Sequence, residues 1–170
     1  MKLRAIPVSS MLFATLLLGA CASTPQAPGA GAQVDARSGS TVSGNVTFSD
    51  LGGAVQVDAK FAGLTPGEHG FHVHEAGDCS AADASSAKGH YNPAGQRHGH
   101  HDSKVRHGGD MPNLVANAQG DARLSAELKD LTVSELVGRS VVVHADPDDY
   151  MSQPAGNSGK RIACGVIAAR

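Results

Sequence analysis

Tryptophan is absent from this 170-residue chain, and only four phenylalanines and two tyrosines supply aromatic rings. Charge of one sign is lacking too: the formal net charge is -2 with histidines neutral, which excludes nucleic acid and an anionic membrane surface as partners recruited by bulk charge. A bilayer-spanning run is also missing, since the longest apolar stretch, MLFATLLLGA at 11 to 20, falls short of the roughly 20 residues needed. In their place stand 21 glycines and nine histidines, a balance that favours a turn-rich β fold with a metal over a helical bundle. The length suits one domain with a real core rather than two.

Residues 1–20 read as a signal peptide, with Lys2 and Arg4 ahead of the apolar run. The run closes on Leu-Gly-Ala-Cys, which resembles a bacterial lipobox and implies cleavage before Cys21 and lipidation of that cysteine; the alternative is an ordinary signal cleaved after Ala22. Ala22 at the next position would direct the lipoprotein to the outer membrane, giving a periplasmic, lipid-anchored protein that meets the membrane only through its anchor. With Cys21 lipidated, Cys79 and Cys164 remain as an even pair in an oxidising compartment, either bridged or as two free thiols. A bridge would stabilise the fold by roughly 4 to 5 kcal/mol on the chain-entropy model. Residues 21–40, rich in Pro, Gly, Ala and Ser, read as a flexible tether, and the folded domain is expected over 41–170.

Within that domain the alternating stretches 41–48, 54–61, 69–75, 114–118, 122–128, 140–145 and 162–169 predict short strands, and 132–138 a helical turn. Two long segments, 76–113 and 146–160, interrupt them; loops of that length do something or are held by something. The pattern predicts an all-β Greek-key barrel or sandwich of about eight antiparallel strands with two long functional loops.

The stretch HGFHVHE, 69 to 75, is the most informative. Histidine is costly to bury unless its nitrogens are satisfied, so the strand has either an unusual core or a metal on one face. Strand alternation puts His72 and His74 on one face and Phe71 and Val73 on the other. Further along come GHYNP with His90, QRHGHH with His98, His100 and His101, RHGGD with His107 and Asp110, and VVVHADPDD with His144, Asp146, Asp148 and Asp149.

Taken in order, H-x-H, Cys79, GH-x-NP, His98, HGGD, VVVH-x-D-x-DD and G-x-R-x-ACGVI resemble copper/zinc superoxide dismutase of the bacterial exported kind, across residues 41 to 169. The resemblance implies dismutation of superoxide to oxygen and hydrogen peroxide, protecting the cell envelope, by a monomer or homodimer. It implies copper held by His72, His74, His90 and His144, and zinc held by His90, His98, His107 and Asp110. His90 would bridge the ions and carry a proton, Arg161 would guide the anion, and Asp148 would orient His72 and His98. Chemistry agrees: imidazoles suit both oxidation states of copper, and three histidines with a carboxylate suit redox-silent zinc. His69 is expected to bond backbone. His100 and His101 are solvated, form an accessory surface metal site, or substitute for His98. Two departures from the eukaryotic members of the family stand out. The 146–160 loop is poor in cations, leaving steering to Lys88, Arg97, Lys104 and Arg106, and ADASSA at 82 to 87 is an insert of the bacterial type. The rival function is a noncatalytic store for copper or zinc on the same fold, which would tolerate loss of His90, His144 or Arg161; all three are present.

Overall fold

Among the residues described by the computed structural model, Met1 and 29–170, ten strands form one antiparallel sheet curled into a nearly closed barrel. They are β1 (Gly29–Ala36), β2 (Ser43–Asp50), β3 (Ala54–Ala62), β4 (Gly67–His69), β5 (Phe71–His74), β6 (Leu114–Ala116), β7 (Ala122–Lys129), β8 (Ser140–His144), β9 (Arg161–Val166) and β10 (Ala168–Ala169). The hydrogen-bonded order is β4-β6-β7-β3-β2-β1-β9-β8-β5, with β10 against β1. Pairing of the non-consecutive strands β3 with β7 and β1 with β9 makes the crossing connections of a Greek key. The expected helical turn is α1 (Val133–Leu136), closed by a capping box between Thr132 and Glu135. The leader and Cys21 lie outside the described residues.

Period-2 alternation fills the barrel. Val46, Val55, Val57, Phe71, Val73, Val141 and Val143 are fully buried inside, with the Phe61 and Phe71 rings edge to face at 5.5 Å. The outward face of β5 and β8 is buried as well, because the 76–113 segment folds over it. Val142 and Cys164 pack there with Ala84 and Ala87 in a second small cluster.

The structure corrects the expected tether. Residues 29–36 form β1, which pairs with β2 over Gly29–Val34 and with β9 at Asp35 and Ala36 and buries Ala30, Ala32 and Val34, so the domain begins before residue 41. Small side chains gave this strand the composition of a linker, but alternation with a buried face still makes a strand of it. The stretch 69–75 also differs from one continuous strand. It breaks at Gly70, whose N–H donates to Asp146 O at 2.9 Å and whose carbonyl accepts from His144 N–H at 2.8 Å.

Both long loops are tied down. Val73 N–H donates to Gly109 O at 2.9 Å and Tyr91 N–H to Val73 O at 2.8 Å, so the first loop runs back along β5. Gly109 is required there, because a Cβ at that position would collide with the Val73 carbonyl. The Cys79–Cys164 disulfide, with its Cα atoms 5.7 Å apart, staples the same loop to β9.

Candidate metal centre

His72 and His74 project side by side from the outer face of β5. The antiparallel partner β8 ends at His144, where a register irregularity between Val143 and His144 re-aims the ring toward them. The first loop adds His90, bridged to His74, and Asp110, bridged to His72, by isolated backbone pairing. Two groups of side chains able to hold a metal ion result: His72, His74, His90 and His144, and next to it His90, His98, His107 and Asp110, every member buried. His90 belongs to both.

The two groups pass different tests of fit. In the first, His72 Nδ1, His74 Nε2, His90 Nε2 and His144 Nε2 are all buried and have no hydrogen-bond partner. Burying one unpartnered ring nitrogen costs on the order of 1 to 3 kcal/mol, and four converging on one point are accounted for by a cation at that point. The opposite nitrogens are braced: His74 Nδ1–H donates to Lys88 O at 2.9 Å and His72 Nε2–H to Asp148 Oδ2 at 2.8 Å. In the second group Asp110 Oδ1 lies 2.8 Å from His90 Nδ1, 3.0 Å from His98 Nδ1 and 3.3 Å from His107 Nδ1. A tetrahedral ion with arms of about 2.0 Å needs ligand atoms about 3.3 Å apart, so these four atoms already stand near that spacing.

Electrostatics separates the groups too. Burial lowers the pKa values of His72, His74 and His144, assisted for the last two by neighbouring rings, and so favours the neutral imidazole that binds metal. Burial, then the His72 charge, brings His90 down to about 4. At His98 burial again opposes the charge, but hydrogen bonds to Asp110 and Asp148 outweigh it and raise the ring to about 9. Burial likewise works against both carboxylates, yet their histidine hydrogen bonds hold Asp110 and Asp148 well below the usual range.

Supporting contacts come mainly from the second loop. Asp148 joins the two groups, with Oδ2 on His72 and Oδ1 2.9 Å from His98 Nε2. His69, as expected, is a brace to backbone: Nδ1 lies 2.8 Å from His144 O, and Nε2 lies 2.8 Å from Thr65 O and 3.2 Å from Thr65 Oγ1. Arg161 pairs across the strands with His144 and lines with it a cleft of about 390 Å³. Its Nη1–H donates to Ala84 O at 2.8 Å. Lys88, Arg97, Lys104 and Arg106 are not in the cleft wall; Arg106 donates to His101 O and Lys129 O and keeps its charge.

Two supports escaped the sequence reading. Asn113 accepts from Asp148 N–H at 2.9 Å and donates to Asp148 O at 3.1 Å, and Gln153 clamps His98 through both its N–H and its carbonyl. Their partners are backbone groups 35 and 55 residues away, for which side-chain spacing carries no signal.

A small antiparallel barrel whose outer face carries two buried ligand groups sharing one histidine is that of a dinuclear metalloprotein. Residues 42–167 match the family model described as copper/zinc superoxide dismutase (SODC), and the chain belongs to that family. It is 41% identical over 135 residues to "Superoxide dismutase [Cu-Zn] 2" of Aquifex aeolicus (strain VF5), covering 74% of this chain and 79% of the relative. To "Superoxide dismutase [Cu-Zn]" of Paramecium bursaria Chlorella virus 1 it is 43% identical over 136 residues, covering 74% and 72%. Among solved structures it is similar to the clock protein EA4, with TM-score 0.75 and 37% identity, covering 86% of this chain and 97% of that one. The chain is thus an oxidoreductase that dismutates superoxide, with copper and zinc as its cofactors.

Proposed function

We propose that His72, His74, His90 and His144 hold the copper ion and that His90, His98, His107 and Asp110 hold the zinc ion. The observation that carries the assignment is the set of four buried, unpartnered nitrogens in the first group, an all-imidazole donor set that suits a metal cycling between two oxidation states. The second group, with its carboxylate, suits an ion of fixed charge that fastens a loop. Copper supplies the one-electron chemistry by which two superoxide ions and two protons become oxygen and hydrogen peroxide.

The chain's own residues have three tasks. Asp148 and the Lys88 carbonyl fix the tautomers of His72 and His74, so that Nδ1 of one and Nε2 of the other face the centre. Arg161, anchored by Ala84 O, presents a fixed positive charge beside His144 where a small anion enters the cleft. His90 keeps Nδ1 toward Asp110 and moves a proton at Nε2, one of the two that hydrogen peroxide requires. Each of these ligands is supplied by the chain itself, whether it works as a monomer or as a homodimer.

The same reading makes the enzyme a guardian of the cell envelope, exported by residues 1–20 and anchored by lipid on Cys21. An oxidising compartment agrees with the Cys79–Cys164 disulfide. The decisive experiment measures superoxide removal by chain reconstituted with copper and zinc beside His144→Ala. Rapid removal by the wild type and loss of at least about a hundredfold in the variant are expected; equal rates would overturn the copper assignment.

A further inference from the structure

His100, His101 and Asp102 stand outside both buried groups, on the solvent side of the first loop. One ligand-type atom from each lies within 4.8 Å of the others. His101 Nε2 is 3.3 Å from Asp102 Oδ2, the spacing of two atoms on one small cation, while His101 Nδ1 is buried and unpartnered. His100 Nδ1 accepts from Asp102 N–H at 3.2 Å, and the two rings lie 4.1 Å apart.

The arrangement is held in place before any ligand arrives. Arg106 Nε–H donates to His101 O at 2.8 Å, Ser103 N–H donates to His100 O at 2.7 Å, and Tyr150 packs against the His100 ring at 4.6 Å. Lys129 Nζ, 3.6 Å from Asp102 Oδ1, occupies the other carboxylate oxygen. Neither imidazole belongs to the two buried ligand groups.

We propose that His100, His101 and Asp102 form a third, exposed site for a divalent transition-metal ion. Two imidazoles and a carboxylate select zinc(II), copper(II) or a similar borderline ion over magnesium or calcium, and water completes the coordination on the open side. Lys129 and Arg106 oppose an added positive charge, and only Asp102 offsets them within the cluster, so the ion is held more weakly than in the buried groups and exchanges with solution. The site borders a hollow of about 400 Å³ lined by both His100 and His98.

The test uses enzyme already loaded with copper and zinc and freed of loose metal by a mild chelator. Zinc(II) titrated into it calorimetrically should fill one further site per chain, and cobalt(II) as an alternative probe should develop visible absorption from imidazole coordination. The double variant His100→Gln with His101→Gln should lose that extra equivalent and the cobalt spectrum while retaining its buried metals and its superoxide removal. Asp102→Asn should weaken the extra equivalent by about tenfold or more. Absence of an extra equivalent in the wild type, or its persistence in the double variant, overturns the proposal. So does loss of the buried zinc from the double variant, which would place one of these histidines in the inner group. Failure of the buried copper assignment reads out separately, in His144→Ala.

Discussion

Asp148 accepts the Nε2–H of His72 at 2.8 Å on one carboxylate oxygen while its other oxygen lies 2.9 Å from His98 Nε2. One carboxylate thus sets ring orientation in both ligand groups. Asp148→Asn leaves one acceptor oxygen and turns an N–H₂ toward the second ring, so only one of the two bonds survives. Metal affinity should fall by about 10- to 100-fold, with both ions affected. Chelator competition followed separately for copper and zinc checks this; unchanged affinity for both would remove Asp148 from the centre.

Gly156 sits at φ +67°, and a Cβ there would run into the Asp148 carboxylate and His98 Nε2. Gly156→Ala should therefore reproduce the Asp148→Asn loss of metal affinity without touching a ligand, and should lower stability by about 1 kcal/mol or more through backbone strain. Metal content and thermal melting of the variant decide the point.

The disulfide spans 85 residues of sequence and ties the ligand-bearing loop to β9. Replacing both cysteines by serine should cost about 4 to 5 kcal/mol on the chain-entropy model. Denaturant unfolding of metal-loaded protein measures it. The loss should be accompanied by weaker zinc retention, because the proposed zinc ligands His98, His107 and Asp110 ride on that loop.

Acid should weaken the metal-free chain in a defined window. His90 titrates near 4 when folded against 6.5 for a free imidazole, so between these values the unfolded chain holds a proton that the folded chain lacks. The associated stability is complete above pH 6.5 and is lost as pH falls through about 4, and the lowered His74 and His144 act in the same sense. His98 acts oppositely: raised to about 9, it stabilises fully below pH 6.5 and ceases to do so as pH rises through 9. Melting temperature of the metal-free chain should accordingly decline on both sides of neutrality. A flat profile from pH 4 to 7 would contradict a cage of buried neutral rings.

The parts of this molecule that alternate strongly were legible in its sequence. Phe71 and Val73 pointing inward and His72 and His74 outward follows from strand geometry alone, and that single stretch locates the face on which the ligand groups gather. Strand β1 was hidden because Ala30 and Ala32 are too small to announce a buried face, although Gly31 and its neighbours pair with β2 residue by residue. The break at Gly70 was hidden for another reason: it is imposed by backbone bonds to Asp146 and His144, far along the chain. Side-chain ligands leave a motif; the Lys88 and Ala84 carbonyls that hold His74 and Arg161 leave none, because every residue has a carbonyl.

The insert at 82 to 87 therefore has more to do than lengthen a loop. Its Ala84 carbonyl receives Arg161, and Asp83 in the same turn lends its charge to that guanidinium. The 82–87 turn and the arginine, 77 residues apart, are thereby tied to each other. An engineer who trims the first to shorten the enzyme removes the carbonyl on which the second is seated.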